Sequence, residues 1–146
     1  MFSPQIRVLI IDDSAIARNT LSRILETDPE IEVVGTAPDA LIGLRKIAEC
    51  SPDVLTLDVE MPKMDGLTFL ERLMSSRPMP VVMVSAYTSE GSETALRALD
   101  LGALEIIEKP SIDVSSGLQE LALQITDKVK AAAQAKLKSP QQRFQK

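Results

Sequence analysis

Histidine is missing from all 146 residues. No Ser-His-Asp or Cys-His catalytic unit can therefore be assembled within this chain, and no imidazole is available to a metal. Chemistry must run on carboxylates, hydroxyls, lysines and backbone groups. The single cysteine, Cys50, cannot form an internal disulfide, which fits a reducing compartment, and it reads as a small apolar residue. The apolar run nearest the N-terminus, Val8 to Ile11, is four residues long and is followed at once by Asp12 and Asp13. That is too short for a signal peptide or a membrane span. A cytoplasmic protein, or a cytoplasmic part of a larger one, is expected, with no membrane insertion. Basic residues are outnumbered, 16 against 21 acidic for a net charge of −5, which argues against nucleic acid as a partner. No Gly-x-Gly-x-x-Gly follows the first apolar run, so a dinucleotide site is not expected.

What is present has a regular rhythm. Five apolar, β-branched runs recur at Arg7–Ile11, Ile31–Gly35, Val54–Leu57, Val81–Val84 and Leu104–Ile107. They lack alternation, as strands buried on both faces do, and their spacing leaves room for a crossover helix each time. The intervening segments carry helical periodicity. Ala17, Leu21, Ile24 and Leu25 share one face of the first, and Leu41, Leu44, Ile47 and Ala48 form the stripe expected to face the sheet in the second. Leu118, Leu121, Ala122, Ile125 and Val129 do so in the last. Asp28-Pro29 and Ser51-Pro52 end helices, Asp65 before Gly66 is an N-cap, and Gly102 is a C-cap. Five β-α units with short connections predict one α/β domain: a flavodoxin-like, doubly wound (βα)5 fold whose parallel sheet has strand order 2-1-3-4-5.

The expected domain spans residues 6–130, after an N-terminal tail at 1–5. Residues 131–146 complete the last helix and form a linker. From Ala135 onward the chain holds Lys136, Lys138, Arg143 and Lys146 and no acid, a charge of +4, so the preceding 134 residues carry −9. Ser139-Pro140-Gln141-Gln142 is too polar to bury a face.

In such a sheet ligands bind beyond the carboxyl ends of the strands, where the strand order reverses, here between the first and third strands. The first ends in Asp12-Asp13 and the third in Asp58. Three carboxylates converging on one crevice repel one another unless a cation joins them, and an all-oxygen donor set favours Mg²⁺. On the other side, the fourth strand ends in Ser85 and the fifth runs into Lys109-Pro110. Three aspartates, one lysine and a divalent cation sum to zero. Asp58 is central, within reach of metal, hydroxyl and ammonium, and is the candidate nucleophile that would carry a phosphoryl group.

These residues resemble the signature of two-component response-regulator receiver domains, over residues 6 to about 130. Ile11-Asp12-Asp13-Ser14 is similar to the acidic pair after strand one. Leu57-Asp58-Val59-Glu60-Met61-Pro62-Lys63-Met64-Asp65-Gly66 is similar to the phosphoacceptor motif and its following loop. Val84-Ser85-Ala86 resembles the switch hydroxyl with the small residue that admits the phosphoryl group, and Glu108-Lys109-Pro110 resembles the lysine motif, with a cis bond implied before Pro110. The resemblance implies Mg²⁺ ligation by Asp13, Asp58 and the backbone carbonyl of Glu60, with Asp12 acting through water. One position departs from the pattern: Ile106 stands where receivers usually carry the aromatic ring that swings inward on activation. Tyr87, the only tyrosine, follows Ser85 closely and is an alternative readout.

Pro52 to Pro62 and Arg77 to Ser85 resemble, more narrowly, the regulatory domain of the chemotaxis protein-glutamate methylesterases. That resemblance implies a chemotaxis histidine kinase as phosphodonor, a C-terminal esterase domain outside these residues, blocked by the surface of the last strand and the two helices flanking it until phosphorylation, and chemoreceptors as its target. Without histidine the 146 residues cannot hold the esterase triad themselves. Two alternatives stand beside this reading. One is a stand-alone receiver that acts only by binding. The other is a phosphatase of the haloacid-dehalogenase type, which would want its Asp-x-Asp after the first strand rather than the third.

Overall fold

The structure, a computed structural model, describes residues 5–85, 92–109 and 118–135. The chain alternates β1 (Ile6–Ile11), α1 (Ala15–Glu26), β2 (Ile31–Ala37), α2 (Ala40–Cys50), β3 (Val54–Asp58), α3 (Gly66–Ser76), β4 (Val81–Ser85), α4 (Glu93–Leu101), β5 (Glu105–Glu108) and α5 (Leu118–Gln134). The strands are parallel and lie in the order β2-β1-β3-β4-β5. This is the expected flavodoxin-like arrangement.

Every residue of β3 and β4 is buried, which explains why their sequences are apolar without alternation. Successive side chains still go to opposite faces. Leu9, Ile11, Leu55, Leu57 and Met83 pack with Phe69, Leu70 and Leu73 of α3 and Ala98 of α4. Val8, Ile10, Val54, Val82 and Ile107 pack with Leu21 and Leu25 of α1 and Ile125 and Val129 of α5.

Local signals set the helix ends. Side chains of Ser14, Asp39, Asp65 and Ser92 accept from backbone amides of the first turns of α1, α2, α3 and α4. Gly102 ends α4 at φ 120°, and Ser51 ends α2 in the left-handed region at φ 47°, with Pro52 preventing continuation. At its far end α5 is tied down by Lys130, whose Nζ lies 2.7 Å from Asp28 and 3.1 Å from Glu30.

The second helix departs from expectation. Leu41, Leu44 and Ala48 face solvent, Leu41 with 71% of its surface exposed, and the buried residues are Ala40, Gly43 and Ile47. The reason is steric. A Cβ on Gly43 would lie 2.8 Å from Cδ1 of Ile11, so α2 approaches β1 too closely to present leucines there. Counting apolar residues finds the wrong stripe where an interface is built from small ones.

The sheet has two edges. β5 is four residues long and starts and ends with glutamate. Lys128 of α5 lies along it, donating to the Ile106 carbonyl at 3.3 Å and sitting 3.7 Å from the Glu105 carboxylate. On β2 the pairing with β1 slips between Val8 and Leu9, leaving Val34 as the extra residue of a bulge. Among the described residues no helix is long and apolar enough to cross a membrane.

Thr56 sits at the middle of β3 between Ile10 and Val82, 1% exposed, and its hydroxyl has no hydrogen-bond partner among the described residues. A buried hydroxyl without a partner costs about 1–3 kcal/mol. Thr56→Val, which keeps the shape and the β preference, is expected to raise stability by about 1 kcal/mol in urea unfolding. A loss of stability would show that the hydroxyl is satisfied.

Candidate functional site

The strand order brings four chemically distinct strand ends together. Asp12 follows β1, Asp58 ends β3, Ser85 ends β4 and Lys109 follows β5. Carboxylate oxygens of Asp12, Asp13 and Asp58 all lie within 4.8 Å of one another. Asp12 and Asp58 are buried at 2% and 1% exposure, while Asp13 faces solvent.

Each group is held by backbone as well as side chain. The Asp12 amide donates to the Ala37 carbonyl at 2.9 Å, its Oδ1 accepts from the Ser14 amide at 2.9 Å, and its carbonyl accepts from the Arg18 guanidinium at 2.7 Å. Beyond Asp58 the chain turns back sharply enough for the Gly66 amide to donate to the Val59 carbonyl at 2.8 Å. A Cβ on Gly66 would sit 2.1 Å from the Asp58 carbonyl oxygen, so only glycine permits α3 to start there. Lys63, in the same loop, has φ 70°. The Lys109 amide donates to the Ser85 carbonyl at 2.9 Å, which extends the β4–β5 ladder by one rung and aims the lysine back across the sheet.

The Lys109 Nζ stands 3.2 Å from Asp12 Oδ2 and 3.3 Å from Asp58 Oδ2. Burial, followed by the neighbouring Asp12 charge, pushes the Asp58 carboxyl up to about 7, against the opposing pull of Lys109. For Lys109, burial works downward, but the charges of Asp12 and Asp58 outweigh it and hold the ammonium above its ordinary value. One ammonium does not offset three carboxylates. The all-oxygen set Asp12, Asp13 and Asp58 therefore fits a divalent cation, which would complete neutrality. A groove of about 600 Å³ opens beside these acids, lined by Asp13, Val59, Glu60, Met61 and Arg97 among others, and gives access from solvent.

Residues 8–121 match the family model described as the response regulator receiver domain. The chain belongs to that family. This receiver is 57% identical over 132 residues to a protein-glutamate methylesterase/protein-glutamine glutaminase of Methylobacillus flagellatus, matching 90% of the present chain and 37% of that protein. The chain thus spans well under half the length of that relative. Its fold matches the response regulator domain of CheB from Thermotoga maritima with a TM-score of 0.81 and 38% identity, over 90% of this chain and 98% of that one. A structure of the P1 domain of CheA3 in complex with CheY6 from R. sphaeroides matches with a TM-score of 0.71 and 34% identity, over 88% of this receiver and 99% of that chain.

Of the residues singled out in the sequence, Asp12, Asp13, Asp58, Ser85 and Lys109 lie at the strand ends that meet in this crevice. Glu60 lies there too, its amide 3.3 Å from Asp58 Oδ1. Ile106 is half-buried and packs against the core layer beneath α3 and α4. Ala86, Tyr87 and the peptide bond before Pro110 fall outside the described residues. Sequence reasoning missed three contacts. Lys109 pairs with Asp12 as well as Asp58, Arg18 caps the Asp12 carbonyl, and the Glu60 side chain accepts from Ser85 Oγ at 3.2 Å. Only Arg18, one helical turn after the acidic pair, left a sequence signal.

The raised pKa of Asp58 makes stability depend on pH. Between pH 4 and 7 the folded state keeps a proton that the unfolded chain, with an ordinary value of 3.8, has lost. Stability contributed by this group therefore falls as pH rises through that window. In metal-free buffer, Asp58→Asn is expected to flatten the decline and to be more stable than wild type at pH 7.5 by at least about 1 kcal/mol. Equal pH slopes for the two proteins in thermal unfolding would contradict the assignment.

Proposed function

We propose that this chain is the phosphoryl-accepting regulatory module of a chemotaxis protein-glutamate methylesterase, with Asp58 as the phosphoacceptor. The observation that carries the reading is the buried Asp58 carboxylate, held against Lys109 and beside Asp12 and Asp13 at the point where the strand order reverses. Its likeness to the methylesterase of Methylobacillus flagellatus and to the CheB response regulator domain supports the choice of system.

In the proposed reaction an Asp58 oxygen attacks the phosphorus of a phosphohistidine on a chemotaxis histidine kinase. An O–P bond forms, the P–N bond breaks, and its electron pair returns to the imidazole nitrogen. Asp12, Asp13, Asp58 and the Glu60 carbonyl would hold Mg²⁺, which supplies positive charge to the anionic phosphoryl oxygens when bound. Lys109 pulls against the raised pKa of Asp58, as a bound cation would, and then donates to the incoming phosphoryl group, as does the Ser85 hydroxyl. Water hydrolyses the acyl phosphate in the same crevice and resets the module.

Phosphorylation shifts a resting equilibrium only by its different interaction with two states, and a swing from 1:99 to 99:1 takes about 5.5 kcal/mol. The face available to report it carries exposed Leu96 and Leu99 on α4. An esterase domain packed on that face until phosphorylation accounts for such apolar exposure. Residues 131–146 would then be the end of α5 and the linker toward that domain, which acts on chemoreceptors in the cytoplasm.

Incubation with acetyl phosphate and Mg²⁺ should add about 80 Da to the intact mass of the wild type and nothing to Asp58→Asn. Labelling of the mutant would remove Asp58 from the role. Absence of both labelling and beryllofluoride binding in the wild type would overturn the reading. In the full-length protein, Asp58→Asn is expected to leave methyl-ester hydrolysis unresponsive to the kinase.

A further inference from the structure

We propose that the Glu60 side chain is a latch on the Ser85 hydroxyl, holding it away from Asp58 until a phosphoryl group arrives. The inference rests on the reading of Asp58 as phosphoacceptor.

Ser85 is fully buried at the end of β4, and its Oγ donates to Glu60 Oε1 at 3.2 Å. In the register of the sheet its neighbour Val84 lies beside Asp58, so Ser85 stands one step beyond the carboxylate it has to serve. A proton that points at Glu60 cannot at the same moment point at a phosphoryl oxygen on Asp58. Glu60 itself is exposed and belongs to the groove beside the acids, so its side chain has room to leave. Its backbone has no such freedom, because the Glu60 amide donates to Asp58 Oδ1 at 3.3 Å and the next turn is fixed by Gly66. The latch is therefore a side chain on a rigid mount.

One event opens it from both sides. A phosphoryl group on Asp58 replaces one negative charge by nearly two and brings three strong acceptor oxygens. The new oxygens compete for the Ser85 proton, while their charge repels the Glu60 carboxylate into the groove. Glu60 is a positioning residue here, acting through Ser85 rather than on the phosphoryl group. In a receiver with Ile106 in place of an aromatic ring, it adds a restraint on the resting state at the phosphorylation site itself.

The test is a double-mutant cycle read by beryllofluoride binding at saturating Mg²⁺, followed by ¹⁹F NMR. Glu60→Ala removes both the charge and the acceptor, whereas Glu60→Gln removes the charge and keeps an acceptor for Ser85. A net hydrogen bond of ordinary strength predicts that Glu60→Ala binds beryllofluoride roughly three- to tenfold more tightly than wild type, with Glu60→Gln in between. In a Ser85→Ala background, where there is no proton to hold, the two substitutions should have the same effect as each other. The acyl-phosphate half-life, followed by intact mass, should lengthen in the same order only when Ser85 is present. If Ala and Gln act alike in both backgrounds, the effect is one of charge alone and the latch is overturned, while Asp58 keeps its role. If the wild type binds no beryllofluoride, the latch and the proposed function fail together.

Discussion

Lys109, just beyond β5, reaches two carboxylates at the ends of β1 and β3 and so ties three strand ends together. Asp12 and Asp58 are both nearly inaccessible, and burying carboxylates is costly unless a cation stands at hydrogen-bond distance, as Lys109 does here. The ammonium offsets part of the cost and leaves a residue of negative charge for a second cation. The site is thus under-neutralised by construction of the sheet, and its readiness to take up positive charge follows from that imbalance. The raised pKa of Asp58 is the same imbalance seen through protons.

The backbone around the crevice leaves little slack. Gly66 starts α3 against the Asp58 carbonyl, Arg18 and Ser14 fix Asp12, and the Lys109 amide continues the ladder from Ser85. Among the described residues, the room for movement lies with side chains that face the groove or the solvent, as Glu60 does. Under the proposed function, firm placement of Asp58 beside a side chain with room to turn suits a site that must both accept a group and register its arrival.

Much of this was legible from the sequence because the signals were local. The five strands, the order of the sheet, the Asp65 cap and the Gly102 stop each depend on a few neighbouring residues or on a strong topological rule. The acidic pair, Asp58, Ser85 and Lys109 could be assigned to one crevice because each sits at a strand end. What was not legible depends on distances between elements. Ala40 and Gly43 outrank Leu41 and Leu44 on the buried face of α2 only because that helix approaches Ile11 so closely. Likewise, which carboxylate accepts from Ser85 and how many share Lys109 are questions of side-chain reach across strands, to which residue spacing is blind.

The edge strand β5 carries a consequence for how anything can meet this side of the molecule. It is short, begins and ends with glutamate, and has one of its carbonyls taken by Lys128. Such an edge is a poor template for another strand, since charge and an already occupied acceptor discourage backbone pairing. Recognition on this side must then be made by the side chains of the flanking helices, not by extension of the sheet. A surface built that way can be engaged and released with little tendency for the two chains to zip together.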